Sequence, residues 1–252
     1  MEQDLQGKVV LVTGSARRVG KGIVLGFARA GAHVIIHHGA SPEAAAQAAD
    51  EARAFGVKGF VVQADLADRA QIEPAIEAAT AQFGRLDVVV NSASVFSSED
   101  FLEMPAETWQ HALDVNLSAP FYVTQAVGRL MRERALGGCI INIADNSGLQ
   151  PWPARPQHSV SKAGLIMLTQ VTAAALARYQ IRASCIVLGP VLPSPGMTTA
   201  DWDQIEARLP LKRSGAPEDA ADAAVFLARN DFITGAVLNV DGGEWLAANS
   251  GA

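Results

Sequence analysis

A chain of 252 residues with 49% hydrophobic and 6% aromatic residues is long enough to bury one large core without a second domain. Its formal net charge of −6 argues against a nucleic-acid or anionic-membrane surface, and the acidic opening Met1-Glu2-Gln3-Asp4 is unlike a signal peptide. No apolar run approaches the ~20 residues of a membrane span, so the expectation is a cytoplasmic protein acting on a small molecule.

From the N-terminus, residues 8–13 predict a strand whose Val9-Val10-Leu11-Val12 run is apolar on both faces. It leads through Thr13-Gly14-Ser15-Ala16-Arg17-Arg18-Val19-Gly20 into a helix over 19–30. Small residues here let the backbone approach a pyrophosphate, and a helix N-terminus offers unpaired N–H groups and a positive dipole end. A glycine pair alone carries little weight, but its place after a strand marks a dinucleotide loop. Arg17, Arg18 and Lys21 cluster where cations oppose the macrodipole. An anionic ligand accounts for the arginines, while Lys21 reads as solvated.

A second strand, 33–37, ends in His37-His38-Gly39-Ala40-Ser41, with no acid before Glu43 to take a ribose diol. With Arg17 nearby, His38 and Ser41 are read as part of a 2′-phosphate site, and NADPH is expected over NADH. Ser41 reads equally as the cap of a helix over 42–55 that begins with Pro42. His37 and His38 are adjacent on a strand and point to opposite faces; the five histidines show no ligand spacing, so no metal is expected. A strand at 59–63 then leads through Asp65-Leu66 to a helix over 68–83.

The strand 87–91 ends in Asn91-Ser92-Ala93-Ser94, and one long helix is expected over 105–135. Strands 138–144 and 181–188 contain Cys139 and Cys185, read as small buried thiols. Between them lie Asp145-Asn146-Ser147-Gly148 and, opening a helix over 158–179, His158-Ser159-Val160-Ser161-Lys162. Residues i and i+4 share a helix face, so His158 and Lys162 both look towards the strand end that carries Asp145. After Gly189-Pro190, the irregular stretch 190–211 carries four prolines and reads as a mobile lid over a substrate. A helix over 217–228 and a strand over 236–240 close the chain.

This alternation implies right-handed crossovers and a single-domain, Rossmann-type α/β fold: a doubly wound parallel sheet of about seven strands flanked by helices. The cofactor half is expected at 1–150 and the substrate and catalytic half at 138–252, with ligands at the carboxyl ends of the strands.

Together these motifs resemble the short-chain dehydrogenase/reductase family over nearly the whole chain. That family's signature is Tyr-x-x-x-Lys with a Ser about a dozen residues earlier. Here His158 stands at the Tyr place, Asp145 at the Ser place, and Lys162 is retained. The resemblance implies a cofactor held by Gly14, Ser15, Arg17, Arg18, Val19 and Gly20, by Asp65 and Leu66 at the adenine, and by Asn91, Ser92, Ala93 and Ser94. It implies Gly189 and Pro190 beneath the nicotinamide and Lys162 on its ribose. Asn116 matches the residue that bends the long helix and links Lys to water, and the long helices imply a homodimer or homotetramer. For Asp65 the alternative is helix or turn capping; for Asn91 and Asn116 it is a buried amide satisfied by backbone.

The departures resemble the pteridine reductase branch: Arg18 for the middle Gly, Asn91 to Ser94 followed by Phe96, and Asp145 for Ser. By that likeness Arg17 contacts the cofactor phosphate and faces the substrate site, Ser94 lies near that phosphate, Phe96 stacks on a pterin, and Asp145 serves proton delivery. The likeness fails at His158, where that branch also has Tyr. Tyr122 and Tyr179, the only tyrosines, lie mid-helix and at a far helix end. Asp145 favours an imidazolium and Lys162 disfavours it; a protonated trio sums to +1, as a neutral Ser, a neutral Tyr and Lys⁺ do, making His158 the expected donor. The expected activity is NADPH-dependent hydride transfer to a C=N or C=O of a small planar substrate, pterin or dihydrofolate. The alternatives are a ketone/alcohol dehydrogenase of the same family and a catalytically silent NADP(H)-binding protein.

Overall fold

The computed structural model describes residues 4–135, 137–194 and 196–249. Seven strands form one all-parallel sheet: β1 (Val9–Val12), β2 (His33–His38), β3 (Gly59–Gln63), β4 (Val88–Asn91), β5 (Gly138–Asp145), β6 (Ile181–Leu188) and β7 (Val237–Val240), in the order β3-β2-β1-β4-β5-β6-β7. Chain order reverses between β1 and β4, and that crevice is where an open α/β sheet binds ligands.

Both faces of the sheet are covered, which is why its strands are continuous apolar runs. Val10, Val12, Val34 and Ile36 face one layer, made by α1 (Arg18–Arg29), α2 (Pro42–Arg53) and α8 (Pro217–Arg229). Val9, Leu11, Ile35 and Val89 face the other, where α3 (Arg69–Phe83) and α5 (Ala119–Glu133) contribute Ile72, Ile76, Val123 and Val127. The latter layer also holds α6 (Pro156–Leu176), whose Leu165 and Ala173 are buried.

Three elements differ from expectation. The helix expected over 105–135 is α4 (Ala106–Leu113), a π-helical turn at Asp114–Ser118, and α5. Pro120 has no N–H to give the Asn116 carbonyl, and Ala119 N–H reaches back to Asp114 O instead, so the register widens here. The stretch 190–211 is not wholly irregular: α7 (Thr199–Arg208) lies within it, started by a capping box in which Thr198 Oγ1 accepts from Asp201 N (3.2 Å) and Asp201 Oδ2 accepts from Thr198 N (3.1 Å). Finally, the helical segment Pro156–Tyr179 has a mean hydropathy of 1.4 and is long and apolar enough to cross a membrane, contrary to the reading of the sequence. Its buried His158 and Lys162 are held by Asp145 and Ile143 of β5, which seats it in the fold.

Candidate active site

The loop after β1 is fixed from two sides. Thr13 Oγ1 accepts from Ser92 N (3.0 Å) and Ala93 N (3.1 Å), tying the β1 and β4 ends together. Gly14 has φ +64°, and a Cβ there would lie 2.8 Å from Ala93 Cα; at Gly20 a Cβ would lie 2.4 Å from Gly14 O. From β2, His37 Nδ1 accepts from Gly14 N (3.0 Å), while Ser15 N donates to His37 O (2.9 Å) and His37 N to Ser15 Oγ (3.2 Å). His37 Nε2 therefore carries the proton and donates to Ala64 O (3.1 Å). Burial holds this imidazole down at about 4, the Ala64 hydrogen bond opposing and His38 adding a little.

Arg17 is the N-cap of α1, in extended backbone, and its side chain makes no capping bond; the first turn holds no acid. The N–H groups of that turn and the positive dipole end are left for an anion, so the residues present fit the pyrophosphate of a dinucleotide. Arg17 is exposed, and Val19 packs part-buried on the core. Arg18, expected on the cofactor, turns elsewhere: at φ +54° it sends its guanidinium to Pro193 O (3.0 Å) and Leu192 O (3.4 Å), beyond β6. Lys21, expected in solvent, pairs with Glu51 at 2.8 Å.

His38 is likewise corrected. It is buried, and its Nδ1 accepts from Ser41 N (3.2 Å), closing the turn before α2. Ser41 stands at the N-cap of α2, but its hydroxyl makes no capping bond; Pro42 opens the helix with its preset φ. Asp65 acts as a turn cap, Oδ1 accepting from Ala67 N (2.9 Å), and Leu66 beside it is buried.

The other side of the crevice holds the titratable residues. Asp145 ends β5, and its Oδ2 meets His158 Nε2 at 2.7 Å. Asp145 Oδ1 accepts from Ser147 N (3.0 Å) and from the Ser147 hydroxyl. The His158 side chain is 2% exposed and that of Asp145 23%. Burial pushes the Asp145 carboxyl up, but the His158 hydrogen bond, the Lys162 and His158 charges and the Ser147 hydrogen bond outweigh it and hold it at about 2. Lys162 is buried and donates to Ile143 O (2.9 Å); burial pushes its ammonium down, against the opposing pull of Asp145 and Cys185.

Asn116, in the π turn, is satisfied by both backbone and side chains. Its Oδ1 accepts from Val95 N (2.8 Å) and Ser94 Oγ (3.1 Å); its Nδ2 reaches Val95 O (3.1 Å), Ser161 Oγ (3.2 Å) and His158 Nδ1 (3.4 Å). These contacts run to His158, not to Lys162 as expected. His158 Nδ1 also lies 3.2 Å from Val95 O, so it sits between an acceptor and a donor. With its proton on Nε2 the neutral ring accepts from Asn116 at Nδ1; with a proton on Nδ1 it donates to Val95 O. Asn91 Nδ2 donates to Asn142 Oδ1 (2.8 Å), whose own amide donates to Thr169 Oγ1 (2.8 Å), a buried polar chain from β4 across β5 to α6.

Phe96, expected from the sequence, is joined here by Trp152 and Arg155, which were not singled out. Phe96 packs T-shaped against His158 (centroids 4.7 Å apart), Trp152 stacks over the imidazole (6.4 Å, 17°), and the Arg155 guanidinium lies 3.8 Å from the Phe96 centroid. Behind Asp145, Asn146 Nδ2 donates to Glu244 Oε2 (2.6 Å) and Asp241 Oδ2 (3.3 Å), tying this turn to the segment after β7. Gly189 N donates to Val240 O (3.1 Å) and Pro190 O accepts from Gly215 N (2.8 Å). No motif announced Trp152, Arg155 or His37; only their nearness to His158 and Gly14 in sequence or strand pairing could have.

A parallel sheet, a glycine loop at its switch point and a His-Asp-Lys cluster at the ends of the next strands define a Rossmann-type oxidoreductase. Residues 14–244 match the family profile described as Enoyl-(Acyl carrier protein) reductase. The chain is 37% identical over 247 residues to an L-rhamnose 1-dehydrogenase (NAD(P)(+)) of Azotobacter vinelandii, covering 94% of this chain and 96% of that protein. It is 32% identical to a galactitol 2-dehydrogenase of Agrobacterium fabrum, covering 96% and 99%. A crystal structure of a putative gluconate dehydrogenase from Agrobacterium tumefaciens superposes with a TM-score of 0.90 at 31% identity, covering 96% and 97%. The chain belongs to the short-chain dehydrogenase/reductase family.

Proposed function

We propose that this protein is a nicotinamide-dependent dehydrogenase interconverting a secondary alcohol and a ketone on a small polyhydroxylated substrate. The observation that carries the reading is the His158–Asp145 pair, 2.7 Å apart at the end of β5, with the carboxylate part-open and Lys162 buried behind it. Relatives named for rhamnose, galactitol and gluconate supply the substrate class. The pterin or dihydrofolate expected from sequence is set aside, because these relatives act on sugars and polyols and Arg155 covers one face of Phe96.

The loop Gly14 to Gly20 would hold the pyrophosphate, Arg17 and Ser41 a ribose phosphate, Asp65 and Leu66 the adenine, and Asn91 to Ser94, Gly189, Pro190 and Lys162 the nicotinamide half. When bound, the nicotinamide supplies the hydride acceptor or donor. Exposed Arg17 and the acid-free end of β2 favour NADPH over NADH. The proton is handled by this chain. An alcohol proton arriving at the accessible Asp145 carboxylate passes across the 2.7 Å contact to Nε2 of a ring whose own proton sits on Nδ1, donated to Val95 O. The imidazolium then donates Nε2–H to Asp145 and Nδ1–H to Val95 O. Val160, Met167 and Val171 form an exposed apolar stripe on α6 at 49, 59 and 56%, which suits contact with a second copy in a homodimer or homotetramer.

The test is nicotinamide absorbance with NAD⁺ and NADP⁺ across alditols, aldoses and aldonates, and with NADPH across ketones, pterins and dihydrofolate. Turnover on polyols or sugars, faster with NADP⁺, is expected. Turnover confined to pterins, or cofactor binding with no turnover on any compound, contradicts the reading.

A further inference from the structure

Arg155 has no assigned task, yet it is held in one place. Its backbone is fixed at the N-cap of α6, N donating to Trp152 O (2.9 Å) and O accepting from Ser159 N (3.0 Å). Its guanidinium lies over the Phe96 ring, Cζ 3.8 Å from the centroid. That same ring packs T-shaped against the His158 imidazole, centroids 4.7 Å apart. The cation thus stands one aromatic ring away from the Asp145–His158 pair. Among the described residues it makes neither an ion pair nor a side-chain hydrogen bond, unlike Arg18, Arg53, Arg85 and Arg182, which each reach an acceptor.

A guanidinium stacked by its face keeps its in-plane N–H fork free, and that fork matches a carboxylate bidentately. Its surroundings do not neutralise it. Asp145, the acid nearest in effect, is already bonded to His158 and Ser147, and Lys162 adds a second positive charge beneath the site. Asp241 and Glu244 are taken up by Asn146 behind the strand end.

We propose that Arg155 is a specificity residue that receives a carboxylate at the far end of the substrate, so that the site takes a sugar acid, an aldonate or uronate, in preference to a neutral sugar. The proposal rests on the dehydrogenase reading above but has its own readout. Phe96 holds the guanidinium across its ring from His158, so acid and reacting hydroxyl occupy opposite ends of one short chain. Asp145 disfavours an anion close to the reacting carbon, and the separation by a ring keeps the two charges apart.

The experiment measures binding of aldonates, their matching alditols and the matching sugar phosphates to the NADP⁺-saturated protein by calorimetry, alongside turnover. Each aldonate should bind about 10-fold or more tightly than its alditol. Arg155→Met should erase that difference, and Arg155→Lys should restore part of it, which separates recognition from misfolding. Equal affinity for acid and alditol, a preference for the phosphate, absence of aldonate binding, or an acid preference surviving in Arg155→Met overturns the proposal. Polyol turnover without acid preference would leave the dehydrogenase reading standing; acid binding without turnover would leave Arg155 standing and remove that reading.

Discussion

At the scale of single residues, the site differs from the sequence expectation in how its groups are exposed. Spacing placed His158 and Lys162 on one face opposite Asp145, and they are there. What spacing does not give is depth: His158 is enclosed by Trp152, Phe96 and Val95, and the carboxylate is the member that meets solvent. Depth depends on residues from two other segments, which no local pattern encodes. Asp145→Asn should therefore remove both the proton entry and the partner of the imidazolium. Its effect on stability has a definite sign. The folded carboxyl, held at about 2, lies below its ordinary value of 3.8, so its contribution is present above about pH 4 and is lost as pH falls towards 2. Chemical denaturation at pH 7 and at about pH 3 should show the Asn variant closing on the parent at the lower pH. For the cofactor, Arg17→Ala should reduce the preference for NADPH over NADH about 10-fold or more. Equal dissociation constants for the two cofactors in the parent would refute a phosphate site at Arg17.

At the scale of elements, the strands were legible because a buried parallel sheet writes itself as Val/Ile runs; β3 and β6 match their expected bounds. The π turn was not, since it arises from Pro120 and from what Asn116 bonds across the site. Nor was α7, although Thr198 and Asp201 are a readable capping pair once the prolines are discounted. The β1–α1 loop depends on β2 through neutral His37, whose folded value of about 4 lies below 6.5. Its stabilising contribution is present above pH 6.5 and is lost as pH falls through that window to about 4. At about 1.4 kcal/mol per pH unit this amounts to about 3 kcal/mol. Stability between pH 7 and about 4 should fall by that order in the parent and by much less in His37→Asn. Arg18 offers a second check on this loop. Gly at φ +54° relieves a left-handed strain of about 1 kcal/mol, so Arg18→Gly should melt no lower than the parent. It also removes the bonds to Leu192 and Pro193, so proteolysis after β6 should accelerate. Unchanged cleavage would show that the tether is idle.

At the scale of the whole molecule, the family was readable end to end because it is carried by loops that follow every strand, and those loops converge only in a parallel sheet. The substrate was not readable: Phe96 was placed on a pterin by family likeness alone, and Trp152 and Arg155, which pack around His158 and Phe96, lie in a connection that carries no motif. The proposed assembly is open to sedimentation: Met167→Arg or Val171→Glu, placing charge on the exposed stripe of α6, should shift a dimer or tetramer towards monomer. The central claim, that the Asp145–His158 pair handles the proton of a dehydrogenation, is tested most directly by His158→Phe. Its kcat on the best polyol or sugar substrate should fall about 100-fold or more, with the dissociation constant for NADP⁺ unchanged. A His158→Phe protein that turns over as fast as the parent would contradict the claim.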